Sequence, residues 1–259
     1  MARVLLDDVC FRYPVYEATG RSMKMALMSQ FVGGRLGVTR GVREVEALVG
    51  VTLELQAGDR LGLIGRNGSG KSTLLRLLAG LAYPQSGRME IEGRVIPLIV
   101  KGLGVNPELS GYDNIELPLR LLGATSQEIK LAKADIPEFT GLGNFINLPV
   151  RMYSEGMKTR LAFAICTAVA GDVLILDEWL GAGDQDFYNK AQARLAKLLE
   201  NTRIVVLASH SNELIKQVCN KAAWLDRGRL VMTGYVDDVV DAYKHAMTRY
   251  PAAFVSHAA

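Results

Sequence analysis

Hydrophobic and polar positions along the chain follow two periods, and the switches between them lay out its elements. Residues 3–8 and, after a long intervening segment, residues 46–55 read as strands, the second with Val51, Leu53 and Leu55 alternating against polar neighbours. The two are expected to pair in an antiparallel sheet. Residues 61–64 form a compact apolar strand that runs directly into a glycine-rich turn, and residues 72–81 place apolar side chains at 74, 75, 77, 78 and 81, the spacing of a helix. After Pro84 short strands return at 88–92 and 95–100. Residues 107–153 are helical and punctuated by Pro and Gly. Within them Thr125 and Glu128 match a capping box, the helix they open runs towards Ile136, and Pro137 is the predicted stop. From Tyr153 the chain alternates: helix 155–170, strand 173–176, helix 188–201, strand 204–208, helix 212–218. The tail holds a turn at Asp226-Arg227-Gly228 and a last helix over 236–247. Strands separated by helices of this length predict an α/β fold, a parallel sheet with helices on both faces.

Composition narrows the classes. The 259 residues carry 30 Lys plus Arg against 27 Asp plus Glu, a net charge of +3. So small a charge provides no broad field for a polyphosphate backbone, and no nucleic-acid partner is expected. With 49% apolar and 22% charged residues, disorder is excluded. Cys10, Cys166 and Cys219 are odd in number and far apart, which suits a reducing cytoplasm better than a disulfide framework or a clustered zinc site. Asp7 and Asp8 interrupt the first apolar run, so no export signal is expected. The longest apolar stretch, 161–171, falls short of the roughly 20 residues that span a bilayer.

Two motifs carry phosphate chemistry. Residues 65–73 read Gly65-Arg66-Asn67-Gly68-Ser69-Gly70-Lys71-Ser72-Thr73, a complete GxxxxGK[ST] phosphate loop set between the predicted strand and helix. Backbone N–H groups of Gly68, Gly70 and Lys71 can converge on a β-phosphate at the positive end of the helix. Lys71 would reach the β- and γ-phosphates, Ser72 would offer its hydroxyl to Mg²⁺, and Thr73 would offer one to the α-phosphate. The second motif, VLILDE at 173–178, is an apolar strand ending in two carboxylates. Taken alone it fits the start of a solvated loop equally well. Beside a phosphate loop, Asp177 is the candidate Mg²⁺ partner and Glu178 the candidate general base for the attacking water.

A third element narrows the class from nucleotide triphosphatases in general. Tyr153-Ser154-Glu155-Gly156-Met157 stands before a long helix and about twenty residues before the Asp177-Glu178 strand. It resembles the LSGGQ signature of the ATP-binding cassette ATPases, keeping the serine and the second glycine. Ser154 would cap the helix, and Gly156 would let backbone approach a phosphate held by another subunit. Further matches follow in family order: Gly181-Ala182-Gly183-Asp184 resembles the D-loop, and His210 in LASHS resembles the switch histidine. Tyr13 resembles the aromatic that stacks on adenine, with Tyr16 as the alternative. The resemblance covers residues 1 to about 235. It implies a P-loop ATPase core with a parallel sheet and an antiparallel β subdomain (1–105 and 154–235), a helical subdomain (106–153), and a C-terminal helix and tail (236–259). It also implies ATP and Mg²⁺ as ligands, Glu178 and His210 as catalytic residues, and a head-to-tail dimer of two copies around two ATP molecules. By the same resemblance His210 contacts the γ-phosphate and Asp184 reaches across the dimer interface.

The sequence departs from the family at one position and points to a subfamily at others. Where most cassettes have a glutamine ahead of the helical subdomain, the aligned residue is Lys101, which cannot ligate a cation as a glutamine carbonyl would. WLGAGD after the carboxylates, GLGVNPELSG, and the long stretch between Tyr13 and Val51 resemble the nucleotide-binding subunits of polysaccharide exporters. That group moves lipid-linked O-antigen, capsule or teichoic-acid chains across the bacterial inner membrane. The resemblance implies an integral-membrane permease as partner and a peripheral position on the cytoplasmic face. With 259 residues, the C-terminal carbohydrate-binding domain of some members is not expected. A cassette serving a lipid or drug exporter is the alternative, and a soluble non-transport cassette a further one. Residues 20–43 carry Arg21, Lys24, Arg35, Arg40 and Arg43 with no acid, and Met23, Ala26, Leu27 and Phe31 at helical spacing. Such a helix fits lipid head groups or a place on its own domain.

Overall fold

The computed structural model describes residues 2–15, 36–39, 42–99, 104–177 and 185–249. The chain divides into two compact units, one made of Met1–Ala2 and Glu92–Val205, the other of Arg3–Ile91 and Val206–Ala259. In chain order it runs through β1 (Arg3–Val15), β2 (Leu36–Thr39), β3 (Val42–Gln56), β4 (Arg60–Ile64), α1 (Lys71–Leu78) and β5 (Ser86–Glu92). There follow β6 (Val95–Leu98), α2 (Glu116–Leu121), α3 (Ser126–Thr140), α4 (Glu155–Cys166), β7 (Val173–Asp177) and α5 (Gln185–Asn201). The chain then forms β8 (Ile204–Ala208), α6 (Asn212–Val218), β9 (Lys221–Asp226), β10 (Arg229–Tyr235) and α7 (Val236–Arg249). The division between the units falls within β8.

The unit that contains the first strand holds a four-stranded sheet in the order β2-β3-β1-β5. As the alternation predicts, β1 and β3 pair antiparallel, with Val4 opposite Leu55 and Leu6 opposite Leu53. Val4, Leu6, Val9 and Phe11 of β1 and Leu48, Val51, Leu53 and Leu55 of β3 are buried, so one face of the sheet is core. The same unit carries the strand order β10-β9-β4-β8, in which β4 and β9 run parallel. β9 and β10 form an antiparallel hairpin around the turn at 226–228, two strands that the periodicity of the tail does not predict. Val236, Val239 and Val240 bury one side of α7.

The other unit contains the order β8-β7-β6, with β6 and β7 parallel. β7 is a buried apolar strand, Val173 to Ile175 fully covered and Leu176 nearly so, as a parallel strand buried on both faces must be. Between β6 and β7 lie the helices α2, α3 and α4. The capping box at the start of α3 is present: Glu128 N–H donates to Thr125 Oγ1 at 3.2 Å, and Thr125 N–H donates to Glu128 Oε2 at 2.7 Å. Such a cap stabilises a helix by about 1 kcal/mol.

Three expectations need correction. Pro137 does not stop α3, which runs on to Thr140. An interior proline costs roughly 3 kcal/mol, and here burial of Ile136 and Thr140 together with the Thr140 hydroxyl donating to Ile136 O at 2.9 Å offsets it. Helix 155–170 ends earlier than its apolar spacing predicts, at Cys166, with the Thr167 backbone N–H donating to Phe163 O at 3.0 Å. The end of the basic segment is not helical: Leu36–Thr39 pairs with β3, Leu36 opposite Val45. The helical spacing at Met23 to Phe31 lies outside the described residues. Among the described residues no helix is long and apolar enough to cross a membrane.

Candidate nucleotide-binding site

The phosphate loop leaves the end of β4 and closes at the start of α1. Gly65 must be glycine, since its φ is 147° and a β-carbon would lie 2.2 Å from the backbone oxygen of Leu225 and 2.7 Å from Ser69 Oγ. Gly70 is the N-cap of α1 with φ 107°, and a β-carbon there would meet Ala47 O at 2.7 Å. No side chain caps α1 and its own first turn holds no acid, which suits a helix N-terminus that receives an anion. Lys71 is buried, and its ammonium folds back to donate to Gly65 O at 2.7 Å and Arg66 O at 3.2 Å. Ser69 Oγ is buried and, among the described residues, has no hydrogen-bond partner. A buried orphan hydroxyl on a glycine cradle at an uncapped helix N-terminus fits an anionic ligand such as a nucleotide phosphate.

The loop is clasped from behind. Gly228 N–H donates to Ser69 O at 2.9 Å, and Val49 N–H donates to Gly228 O at 2.8 Å, so the β9–β10 turn ties the loop to β3. The sequence marks a turn at 226–228, but nothing in its pattern connects that turn to residue 69. Tyr13, on β1 opposite Val45, comes to the same place: its hydroxyl lies 3.5 Å from Thr73 Oγ1, and Arg76 Nη1 donates to it at 3.5 Å. Phe11 holds the Tyr13 ring edge-on, with centroids 4.9 Å apart. Nothing in the sequence pattern marks Arg76 as a neighbour of the site. Tyr16, the alternative aromatic, lies outside the described residues.

His210 belongs to the same unit and is exposed at the end of β8. Ser211 N–H donates to the Ser209 hydroxyl at 3.0 Å, and Ser211 Oγ caps α6 by accepting Leu214 N–H at 3.2 Å. His210 is thus held between a buried strand and a capped helix.

In the other unit, Asp177 stands half-buried at the C-terminal end of β7, where a parallel strand presents functional groups. Ser154 is the N-cap of α4, exposed, and its hydroxyl accepts Met157 N–H at 3.3 Å. Around Gly156 this chain leaves open space: a β-carbon would have Ser154 Oγ as its nearest neighbour, at 3.9 Å. Among the described residues nothing requires a glycine there. Glu155, which replaces a glycine of the family motif, is paired with Lys158 at 2.9 Å. Tyr153 anchors the turn from below, its hydroxyl donating to Phe145 O at 2.6 Å, and burial pushes its phenol above the usual range. Glu178, Asp184 with its Gly181-Ala182-Gly183 turn, and Lys101 lie outside the described residues.

Comparison with known proteins gives a consistent picture. Residues 48–181 match the family described as "ABC transporter". The chain is 43% identical over 229 residues to the O-antigen export system ATP-binding protein RfbE of Yersinia enterocolitica, covering 88% of this chain and 96% of that one. It is 42% identical over 204 residues to the teichoic acids export ATP-binding protein TagH of Bacillus cereus, covering 79% of this chain and 37% of TagH. Among solved structures, the dimeric post-hydrolysis state of an ATP-binding cassette bound to ADP and Pi matches with a TM-score of 0.65 at 20% identity, covering 90% of this chain and 98% of that one.

Proposed function

Since the chain belongs to the ABC transporter family, as an ATP-hydrolysing subunit, we propose that it drives export of a lipid-linked polysaccharide of the O-antigen, capsule or teichoic-acid type across the bacterial inner membrane. The observation that carries this reading is the likeness to RfbE over nearly the full length of both chains, in a protein whose phosphate cradle is fully built. The subunit sits on the cytoplasmic face, peripheral, through an integral-membrane permease.

In this reading residues 65–73 hold the triphosphate and Tyr13 stacks on adenine. Ser72 and Asp177 are the residues that would hold Mg²⁺, which would supply charge neutralisation to the phosphates. Glu178 takes the proton of the attacking water as its oxygen bonds to the γ-phosphorus and the bond to the β,γ-bridging oxygen breaks, leaving ADP and phosphate. His210 contacts the γ-phosphate. Two copies assemble head to tail, so that Ser154 and Gly156 present the N-terminus of α4 to the ATP of the other copy and Asp184 reaches across the interface. The open space that the described residues leave at Gly156 supports that approach.

The helices between β6 and β7 supply the docking face for the permease. Eight large apolar side chains in residues 109–152, among them Leu117, Leu121, Leu131 and Met152, are more than a third exposed, and in this reading the permease covers them. Co-expression with a candidate permease of this exporter class tests the reading. The pair should co-purify, and its ATPase should rise on adding lipid-linked glycan. Equal stimulation by a phospholipid or drug panel would favour the alternative exporter class.

A further inference from the structure

The geometry points to Arg94 as a positioning residue for the ATP sandwich, a pivot that sets the angle at which α4 leaves the β6–β7 pair and so where Ser154 and Gly156 arrive. The inference rests on the dimer reading above.

Arg94 stands one residue before β6, and its fork of donors joins the turn between α2 and α3 to the segment that follows α4. Nη1 donates to Glu128 Oε1 at 2.7 Å and to Ala170 O at 3.2 Å. Nη2 donates to Gly123 O at 2.8 Å and to Glu128 Oε2 at 3.4 Å. Its backbone is fixed as well: the N–H donates to Asp172 Oδ2 at 2.9 Å, and the carbonyl accepts N–H groups from Asp172 and Val173 at 2.8 and 3.0 Å. One guanidinium therefore binds the entrance of α3 and the segment that follows α4 to the two strands that flank them. Only arginine has the planar fork to do this, because lysine is a point charge. The ion pair is about a quarter to a third exposed on each side. It is better ordered than a surface pair because the Glu128 carboxylate is also held by the capping box.

Lever length gives the contact its functional weight. α4 has 12 residues, which at 1.5 Å per residue is about 18 Å. A tilt of about 10° at the base would move Ser154 by about 3 Å, the full length of a hydrogen bond to phosphate. A small loosening at Arg94 that leaves the fold intact would therefore misplace the signature turn.

The test uses the Glu178→Gln protein, in which ATP should hold the dimer, and measures the dimer dissociation constant by sedimentation beside ATP affinity at a concentration where the protein is monomeric. Arg94→Gln should weaken the dimer about tenfold or more while monomer ATP affinity changes less than about twofold. Glu128→Gln should weaken it too, with the double variant little worse than Arg94→Gln. Arg94→Lys, which keeps the charge and loses the fork, should fall between and serves if Arg94→Gln does not fold. Thr125→Ala, which removes the cap and leaves the guanidinium alone, should dimerise normally. An unchanged dimer in Arg94→Gln overturns the inference, as does an equal loss in Thr125→Ala, which would reduce Arg94 to helix stability. A parent that binds ATP and stays monomeric overturns the sandwich reading, and the pivot with it.

Discussion

The ammonium of Lys71 donates a 2.7 Å hydrogen bond to the carbonyl oxygen of Gly65, spanning the phosphate loop from the first residue of α1 to the end of β4. Lys71 is buried at the head of α1, and its ammonium lies on the loop that a triphosphate would fill. Lys71→Ala is expected to weaken ATP binding about tenfold or more and to lower turnover about a hundredfold or more. Fluorescent-nucleotide titration and steady-state phosphate release measure the two effects separately.

Tyr13 touches the loop through its hydroxyl, yet its proposed work is done by the ring face. Tyr13→Phe should therefore keep ATP affinity within about twofold, while Tyr13→Ala should lose severalfold, in line with the roughly 1–3 kcal/mol a base stack contributes. A drop in Tyr13→Phe equal to that in Tyr13→Ala would assign the role to the Thr73 and Arg76 contacts instead.

The three cysteines should separate by reactivity. Burial pushes the thiols of Cys166 and Cys219 up to about 12, so neither forms a thiolate at pH 8. Cys10 is only half-buried. Native protein treated with a maleimide should take up label at Cys10 alone, and label at the other two should appear only on unfolding. Mass mapping of the labelled peptides reads this directly.

Glu128 predicts a pH signature. The side-chain hydrogen bonds from Arg94, followed by the Thr125 backbone N–H, hold its carboxyl down at about 2. A carboxyl whose folded value is depressed adds stability that is fully present above its unfolded value, near 4.3, and disappears as pH falls towards 2. The difference in melting temperature between wild type and Glu128→Gln should be constant from pH 6 to 8 and shrink steadily between about pH 4.3 and 2. A difference that persists at pH 2 would show that the carboxylate charge is not what the arginine binds.

What could be read in the chain and what could not follows from how local each signal is. The phosphate loop needs glycines, a lysine and a hydroxyl within nine positions, between a strand and a helix, and all of that lies in one stretch of sequence. The capping box of Thr125 and Glu128 is legible for the same reason, as is the Ser154 cap. Pro137 misleads because the proline rule is local, while the burial of Ile136 and Thr140 that overrides it is tertiary. The β9–β10 hairpin escapes because Gly234 and the exposed side chains of β10 blur the alternation, although Asp226-Arg227-Gly228 gives its turn. Gly228 beneath Ser69, and Arg94 at the meeting of Gly123, Glu128, Ala170 and Asp172, leave no trace in the pattern. Their partners lie 29 or more residues away, and an isolated arginine or glycine looks like any other.

An ATPase that works as a pair, with Glu178 as the base of each site, must fall silent and stay closed when that base is lost. Glu178→Gln is the most direct measurement: ATP binding should persist, phosphate release should fall to background, and sedimentation should show a dimer that forms with ATP and not with ADP. Turnover near the wild-type rate, or a protein that stays monomeric with ATP bound, would contradict the account.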